Sequence, residues 1–140
     1  MYSRRNENPT TKLLLVAVFL CVCVVQSKIC PTLDIRNDIV QLNKLKNCTA
    51  VTGNLSIVLL EKVKSPAEYE KYVFPDLTEI TGYLVLYKVF HLLSVGTIMP
   101  NLRVIRGVDL ISYYSLALHE MPHLTQDNFF VITTNSNLIQ

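Results

Sequence analysis

Two patterns of apolar residues divide the chain. Leu13 to Val25 is an unbroken run of 13 apolar residues behind the basic residues Arg4, Arg5 and Lys12. From Lys28 onward apolar positions alternate with others over short stretches instead: Leu55, Ile57 and Leu59, then Leu84 and Leu86, then Leu116 and Leu118. Alternation sends successive side chains to opposite faces of an extended backbone, so each stretch predicts a strand with one buried face. Between the stretches, Leu45-Lys46-Asn47-Cys48, Phe74-Pro75-Asp76-Leu77, Met99-Pro100-Asn101-Leu102 and Met121-Pro122-His123-Leu124 fall in register, starting 29, 25 and 22 residues apart. Val51, Ile80 and Ile105 each follow their junction by three residues, and Gly53, Gly82 and Gly107 come two residues later.

Steps of this length belong to leucine-rich repeats, in which a short strand cannot bury its apolar face alone and stacked coils share one core. The expected fold is therefore mainly β, a solenoid of stacked coils. The glycines are expected at tight corners, where a side chain would meet the neighbouring coil. One segment interrupts the repeat. Ser65-Pro66-Ala67-Glu68 supplies a capping Ser, a first-turn Pro and a Glu three residues after the cap, so a short helix is predicted to bulge from the first long coil.

Composition narrows the possible functions. A chain of 140 residues, 50% of them hydrophobic, builds one modest core, which excludes a multidomain enzyme. The net charge of +2 comes from the leader: without Arg4, Arg5, Lys12 and Glu7 there remain 10 basic and 10 acidic residues. With no net charge and no basic cluster interleaved with aromatics, nucleic acid is not an expected partner.

The leader reads as a secretory signal, with Val25-Gln26-Ser27 supplying compact residues at the cleavage positions. As a helix its apolar run would span roughly 20 Å, short of the ~30 Å hydrocarbon core of a membrane. Residues 1–27 are thus expected to be removed, leaving 28–140 as one secreted, extracellular domain. An uncleaved signal-anchor is the alternative, and the only route to a membrane. Cys21 and Cys23 leave with the signal, so Cys30 and Cys48 remain as the one possible pair, a bridge worth about 3 kcal/mol by loop entropy. Asn47-Cys48-Thr49 and Asn54-Leu55-Ser56 are glycosylation acceptors, and both Asn47 and Asn54 are expected on the surface.

With these residues in place, Cys30-Pro31-Thr32-Leu33-Asp34-Ile35-Arg36-Asn37, Leu45 to Leu55, Phe74 to Leu84 and Pro100 to Gly107 resemble the receptor L domain of the insulin receptor and EGF receptor family, and most of all the first L domain of insulin receptors. The Asp-Ile-Arg-Asn start and the Phe-Pro-x-Leu-Thr step favour the insulin-receptor branch. The resemblance runs from about Cys30 to Leu124. It implies a right-handed β-helix of leucine-rich coils, the Cys30–Cys48 disulfide and a glycan on Asn47.

The same resemblance implies a hormone-binding sheet face, to which Asp34, Arg36, Asn37, Leu59 and Tyr87 correspond. Glu61, Ile111, Ser112 and His119 stand where the family pattern carries aromatic side chains, so affinity below that of the receptors is expected. After Leu124 the repeat pattern breaks, and terminal coils that would cap the solenoid are expected to be missing. No transmembrane stretch or kinase signature follows the domain in this sequence.

One motif points elsewhere. His119-Glu120-Met121-Pro122-His123 satisfies H-E-x-x-H, which binds zinc when a helix sets both His on one face. Pro122 opposes that helix, and the five residues coincide with a coil junction. No catalytic, metal or cofactor site is expected. The leading reading is a secreted L-domain module, a decoy or modulator of insulin-like peptide signalling. The alternatives are an interaction or structural partner of a receptor ectodomain, or a truncated product without independent function.

Overall fold

The computed structural model describes residues 27–125 together with the backbone of two further strands, Ile132–Thr133 and Leu138–Ile139. The expected signal, with Cys21 and Cys23, lies outside the described residues. Among the described residues eight strands follow one another: β1 (Lys28–Arg36), β2 (Cys48–Leu60), β3 (Glu79–Ile80), β4 (Leu84–Val89), β5 (Val104–Ile105), β6 (Leu116–His119), β7 (Ile132–Thr133) and β8 (Leu138–Ile139). The fold is mainly β, and all of these strands pair in parallel. Parallel neighbours need a long connection between them, and the repeat length supplies it.

The long strand β2 organises two ladders. Its start pairs with β3 through Val51 and Ile80, and β3 continues to β5 and β7. Its second half pairs with β4 from Leu55↔Leu84 to Leu60↔Val89, and β4 continues to β6 and β8. β1 covers the other edge of β2, from Lys28↔Cys48 to Arg36↔Val58. The alternation seen in the sequence then makes physical sense. Leu55, Leu84 and Leu116 stack inward as one column, and Ile35, Ile57 and Leu86 as another, all buried.

The junction segments close the core from the opposite side. In the first three, both the first and fourth residues are buried: Leu45 and Cys48, Phe74 and Leu77, Met99 and Leu102. The Leu77, Leu102 and Leu124 amides donate to the carbonyls of Phe74, Met99 and Met121 at 3.2–3.3 Å, so the last three junctions are tight turns. The Cys30–Cys48 disulfide, with both sulfurs buried and Cα atoms 5.7 Å apart, ties β1 to the start of β2.

The glycines occupy the corner between the ladders. Gly82 N–H donates to the Gly53 carbonyl at 2.8 Å and Gly107 N–H to the Gly82 carbonyl at 3.0 Å. A Cβ on Gly53 would run into the Thr32 side chain, and one on Gly82 into the Asn54 side chain and, at 2.8 Å, the Gly53 backbone. A second corner ends the other ladder. Asn37, Leu59, Lys88 and Glu120 all adopt left-handed backbone, with φ of 64°, 60°, 52° and 50°. Each directly follows the last outward residue of its coil.

The helical segments are short. Pro66–Lys71 is the expected bulge, capped by Ser65 accepting from Ala67 N–H at 3.3 Å, but it is a 3-10 helix. Pro66, Tyr69 and Tyr72 recur every three residues, which aligns side chains only in the tighter helix. Tyr69 is buried there and donates its hydroxyl to the Phe90 carbonyl at 2.8 Å. A second 3-10 helix, Ile39–Leu45, begins at Asp38 and repeats Ile39, Leu42 and Leu45 with the same period. A single α-helical turn, Val95–Ile98, is capped by Ser94.

The end of the chain departs from the sequence expectation. Both ladders continue past Leu124, Val104 pairing with Ile132 and Leu116 with Leu138, so this segment supplies strands of a further coil. Parallel pairing draws on backbone groups and needs no glycine motif, which is why the broken repeat concealed it.

Candidate functional site

The second ladder turns a flat face outward. Since Leu84 and Leu86 point in, the alternate positions point out. They form two columns across the strands: Asp34, Ser56, Val85 and Ala117, then Arg36, Val58, Tyr87 and His119. The face becomes concave because one connection is long. Gly82 is followed almost at once by β4, but Gly107 is separated from β6 by the segment 108–115. That segment folds on itself through reciprocal Ile111–Tyr114 backbone hydrogen bonds of 2.9 and 2.8 Å. It stands beside the sheet as a wall. The resulting cleft of about 510 Å³ has Val58, Val85 and Ala117 as its floor and Tyr83, Ile111, Ser112 and Tyr114 beside them.

Arg36 lies at one end of the cleft. Asp34, two residues earlier on the same face of β1, accepts from Arg36 Nε with both carboxylate oxygens at 2.6 Å. This bond, and the charge behind it, raises the Arg36 pKa and fixes the direction of the guanidinium. At the other end the Tyr87 and His119 rings stack at 5.6 Å and 12°. Lys88 Nζ stands 5.4 Å from the centre of the Tyr87 ring and 3.5 Å from Glu120. Its pKa is raised by hydrogen bonding to Tyr87 first and by the Glu120 charge second.

The structure brings together only some of the residues read from the sequence. Arg36 and Tyr87 line the cleft, and Asp34 acts on it through Arg36. Asn37 and Leu59 occupy the left-handed corner, Leu59 half-buried, and neither lines the cleft. Of the positions where aromatics were expected, Ile111, Ser112 and His119 are at the cleft, whereas Glu61 sits in the exposed turn after β2. Two aromatic contributors, Tyr83 and Tyr114, were missed. Counting alternation outward from Leu84 would have found Tyr83. The widened step between Gly107 and Leu116 was the signal for the wall that carries Tyr114.

The remaining candidates lie elsewhere. Asn47 is exposed in a left-handed turn, next to a second groove of about 230 Å³ bordered by Lys71, Val73 and Pro75. Asn54 is half-buried, and its Oδ1 accepts from Tyr83 N–H at 3.1 Å. In the H-E-x-x-H segment His119 belongs to β6 and His123 to the turn that follows, so no helix sets the two side by side. His123 stacks instead on His91 at 4.1 Å and accepts from the His91 amide at 3.2 Å. Among the described residues no three His, Cys, Asp or Glu are grouped so as to hold a metal ion.

These features define a mainly β domain built on one parallel sheet, with an open, aromatic-lined cleft on one sheet face. The chain belongs to the receptor L domain family, whose model matches residues 47–138. It is 43% identical over 96 residues to an insulin receptor-related protein of Cavia porcellus, an alignment covering 69% of this chain and 7% of that protein. It is 40% identical over 126 residues to an insulin receptor of Xenopus laevis, covering 84% of this chain and 9% of that protein. An insulin-like peptide receptor of Branchiostoma lanceolatum is 42% identical over 93 residues, 66% of this chain and 7% of that protein. The chain thus spans less than a tenth of the length of these relatives.

Proposed function

We propose that this chain is an extracellular L-domain module that binds an insulin-like peptide in the β1–β2–β4–β6 cleft and acts as a decoy or modulator of signalling by such peptides. The observation that carries the reading is the cleft itself. Arg36, Tyr83, Tyr87 and Tyr114 converge on one open apolar floor in a chain related to receptors named for insulin and insulin-like peptides. Tyrosine rings and an oriented guanidinium are the groups that most often anchor protein interfaces. The coils would wind as a right-handed β-helix, with the mature chain starting near Lys28 and glycan carried on Asn47 and Asn54. Asn47 is the better placed acceptor, being exposed where Asn54 is hydrogen-bonded within the corner.

With Glu61, Ile111, Ser112 and His119 in place of aromatic anchors, the expected affinity is micromolar rather than nanomolar, a gap of about 4 kcal/mol. Calorimetric titration of the purified glycosylated chain with insulin tests this. The reading predicts a micromolar Kd, weakened ~1–3 kcal/mol by Arg36→Ala or Tyr87→Ala and unchanged by Lys62→Ala. Absence of binding up to millimolar peptide would overturn it. A second reading, docking onto a receptor ectodomain, draws on the 108–115 wall, where Val108 and Tyr113 are 74% and 80% exposed. That reading predicts co-purification with a receptor ectodomain that Val108→Asp abolishes.

A further inference from the structure

The second groove, away from the cleft, fits an occupant that the chain itself can carry. Its floor is Leu45, Cys48 and Phe74, all buried. One rim is the end of the Ile39–Leu45 helix and the turn after it, with Asn43, Lys46 and Asn47. The other rim runs from Lys71, at the end of the bulge, through Val73 to Pro75 and Asp76. Both rims are fixed by the fold. Cys48, next to Asn47, is bound to Cys30, and Lys46 N–H donates to the Asn43 carbonyl at 3.1 Å. Opposite, Phe74 N–H donates to the Ile98 carbonyl at 2.8 Å, and the Pro75 carbonyl accepts from Asn101 Nδ2 at 2.9 Å. The groove thus needs no ordering before it receives a ligand.

Its recognition groups are unused. Among the described residues the side chains of Asn43, Lys46, Lys71 and Asp76 make no hydrogen bond or ion pair with another protein group, and Val73 is 43% exposed. Apolar surface ringed by a few donors and an acceptor is the complement of a sugar, which has a face of C–H groups and a rim of hydroxyls. At about 230 Å³ the groove is smaller than the ~300–1,000 Å³ sites that hold free small molecules. A tethered ligand needs less, because attachment at the rim raises its effective concentration to the millimolar range. Asn47 stands on that rim, exposed, and heads an acceptor tripeptide. Asn54 is half-buried, does not border the groove, and has its Oδ1 engaged by Tyr83 N–H.

Resting on the Asn47 glycan of the reading above, we propose that this groove is the seat of that glycan. The first N-acetylglucosamine lies across Val73 and Pro75, covers the apolar opening between the rims and clamps the first junction to the second. The glycan is thereby a part of the packed fold, on a different surface from the peptide cleft.

The test uses the chain with Ser56→Ala, which removes the Asn54 acceptor tripeptide and keeps Asn54 itself. A host that adds high-mannose glycans, followed by endoglycosidase H, leaves one N-acetylglucosamine; export to a bacterial periplasm gives the same chain without sugar. Peptide mass spectrometry reads the sugar on Asn47. In the trimmed protein a nuclear Overhauser contact should join the acetyl methyl of the sugar to the Val73 methyls. Its unfolding equilibrium constant, from chemical denaturation, should be about four-fold lower than that of the sugar-free chain, the scale of burying one methylene-sized group. Val73→Ser should erase the difference. Sugar on Asn47 without that contact, or a gain that survives Val73→Ser, would overturn the seat and leave the glycan reading intact. An Asn47 that carries no sugar would overturn the seat together with the glycan reading.

Discussion

The two ladders share one sequence repeat but differ in how much room their outer faces leave. In the ladder of β3 and β5 the strands are two residues long and lead into stacked glycines, of which Gly82 admits no side chain. Its outer face is occupied by the Arg106–Glu79 ion pair, which holds the Glu79 carboxyl below its ordinary pKa. In the ladder of β2, β4 and β6 the strands are longer, their outward residues mix polar, aliphatic and aromatic side chains, and a lengthened connection raises a wall. Tight corners set the register, and the looser ladder, relieved of that task, carries the cleft.

Several substitutions would break this division of labour, beginning with the corner. Gly82→Val places atoms against the Gly53 backbone, which cannot move without disturbing both ladders; the expected loss is ~3 kcal/mol or more, read by chemical denaturation. Cys30→Ser with Cys48→Ser frees the first coil and should cost about 3 kcal/mol in the same assay, leaving β4 and β6 in place. On the cleft side, Tyr87→Ala should cost ~1–3 kcal/mol in peptide affinity with little effect on folding, the reverse of the glycine variant. Removing the bulge's cap by Ser65→Ala should lower stability by about 1 kcal/mol and leave binding alone.

The smallest effect concerns pH. Because Arg106 lowers the Glu79 pKa, the pair contributes stability that is full above the unfolded carboxylate value of about 4.3 and is lost as pH falls through the folded value. The pair is largely solvated, so the contribution should be about 0.5 kcal/mol or less. Glu79→Gln should flatten that part of the acid limb of a stability curve without moving the Kd of the cleft.

Much of this could be read before any coordinates, for identifiable reasons. The junctions, the inward columns and the glycine corner were legible because each is a local pattern repeated at the same step. The bulge at Ser65 was legible from its cap, although its period of three, and that of Ile39, Leu42 and Leu45, escaped a reading attuned to periods of 2 and 3.6. Arg36 and Tyr87 were placed by family resemblance. Tyr114 was not, because its position depends on how the 108–115 segment folds back, which no periodicity encodes. Leu59 shares the inward parity of Leu55 and Ile57, but its left-handed backbone interrupts that alternation and leaves it half-buried at the corner, beside the cleft.

That left-handed corner has a further consequence. Asn37, Leu59, Lys88 and Glu120 directly follow Arg36, Val58, Tyr87 and His119, all four of which line the cleft. Asn accepts positive φ readily, and the other three hold it at roughly 1–2 kcal/mol each. The bend is thus a property of the main chain, imposed by stacking, and an amide, an aliphatic group, an ammonium and a carboxylate are all accommodated there. The rim of the cleft is therefore a row of interchangeable letters on a fixed line, where recognition can be rewritten one coil at a time without redrawing the fold beneath.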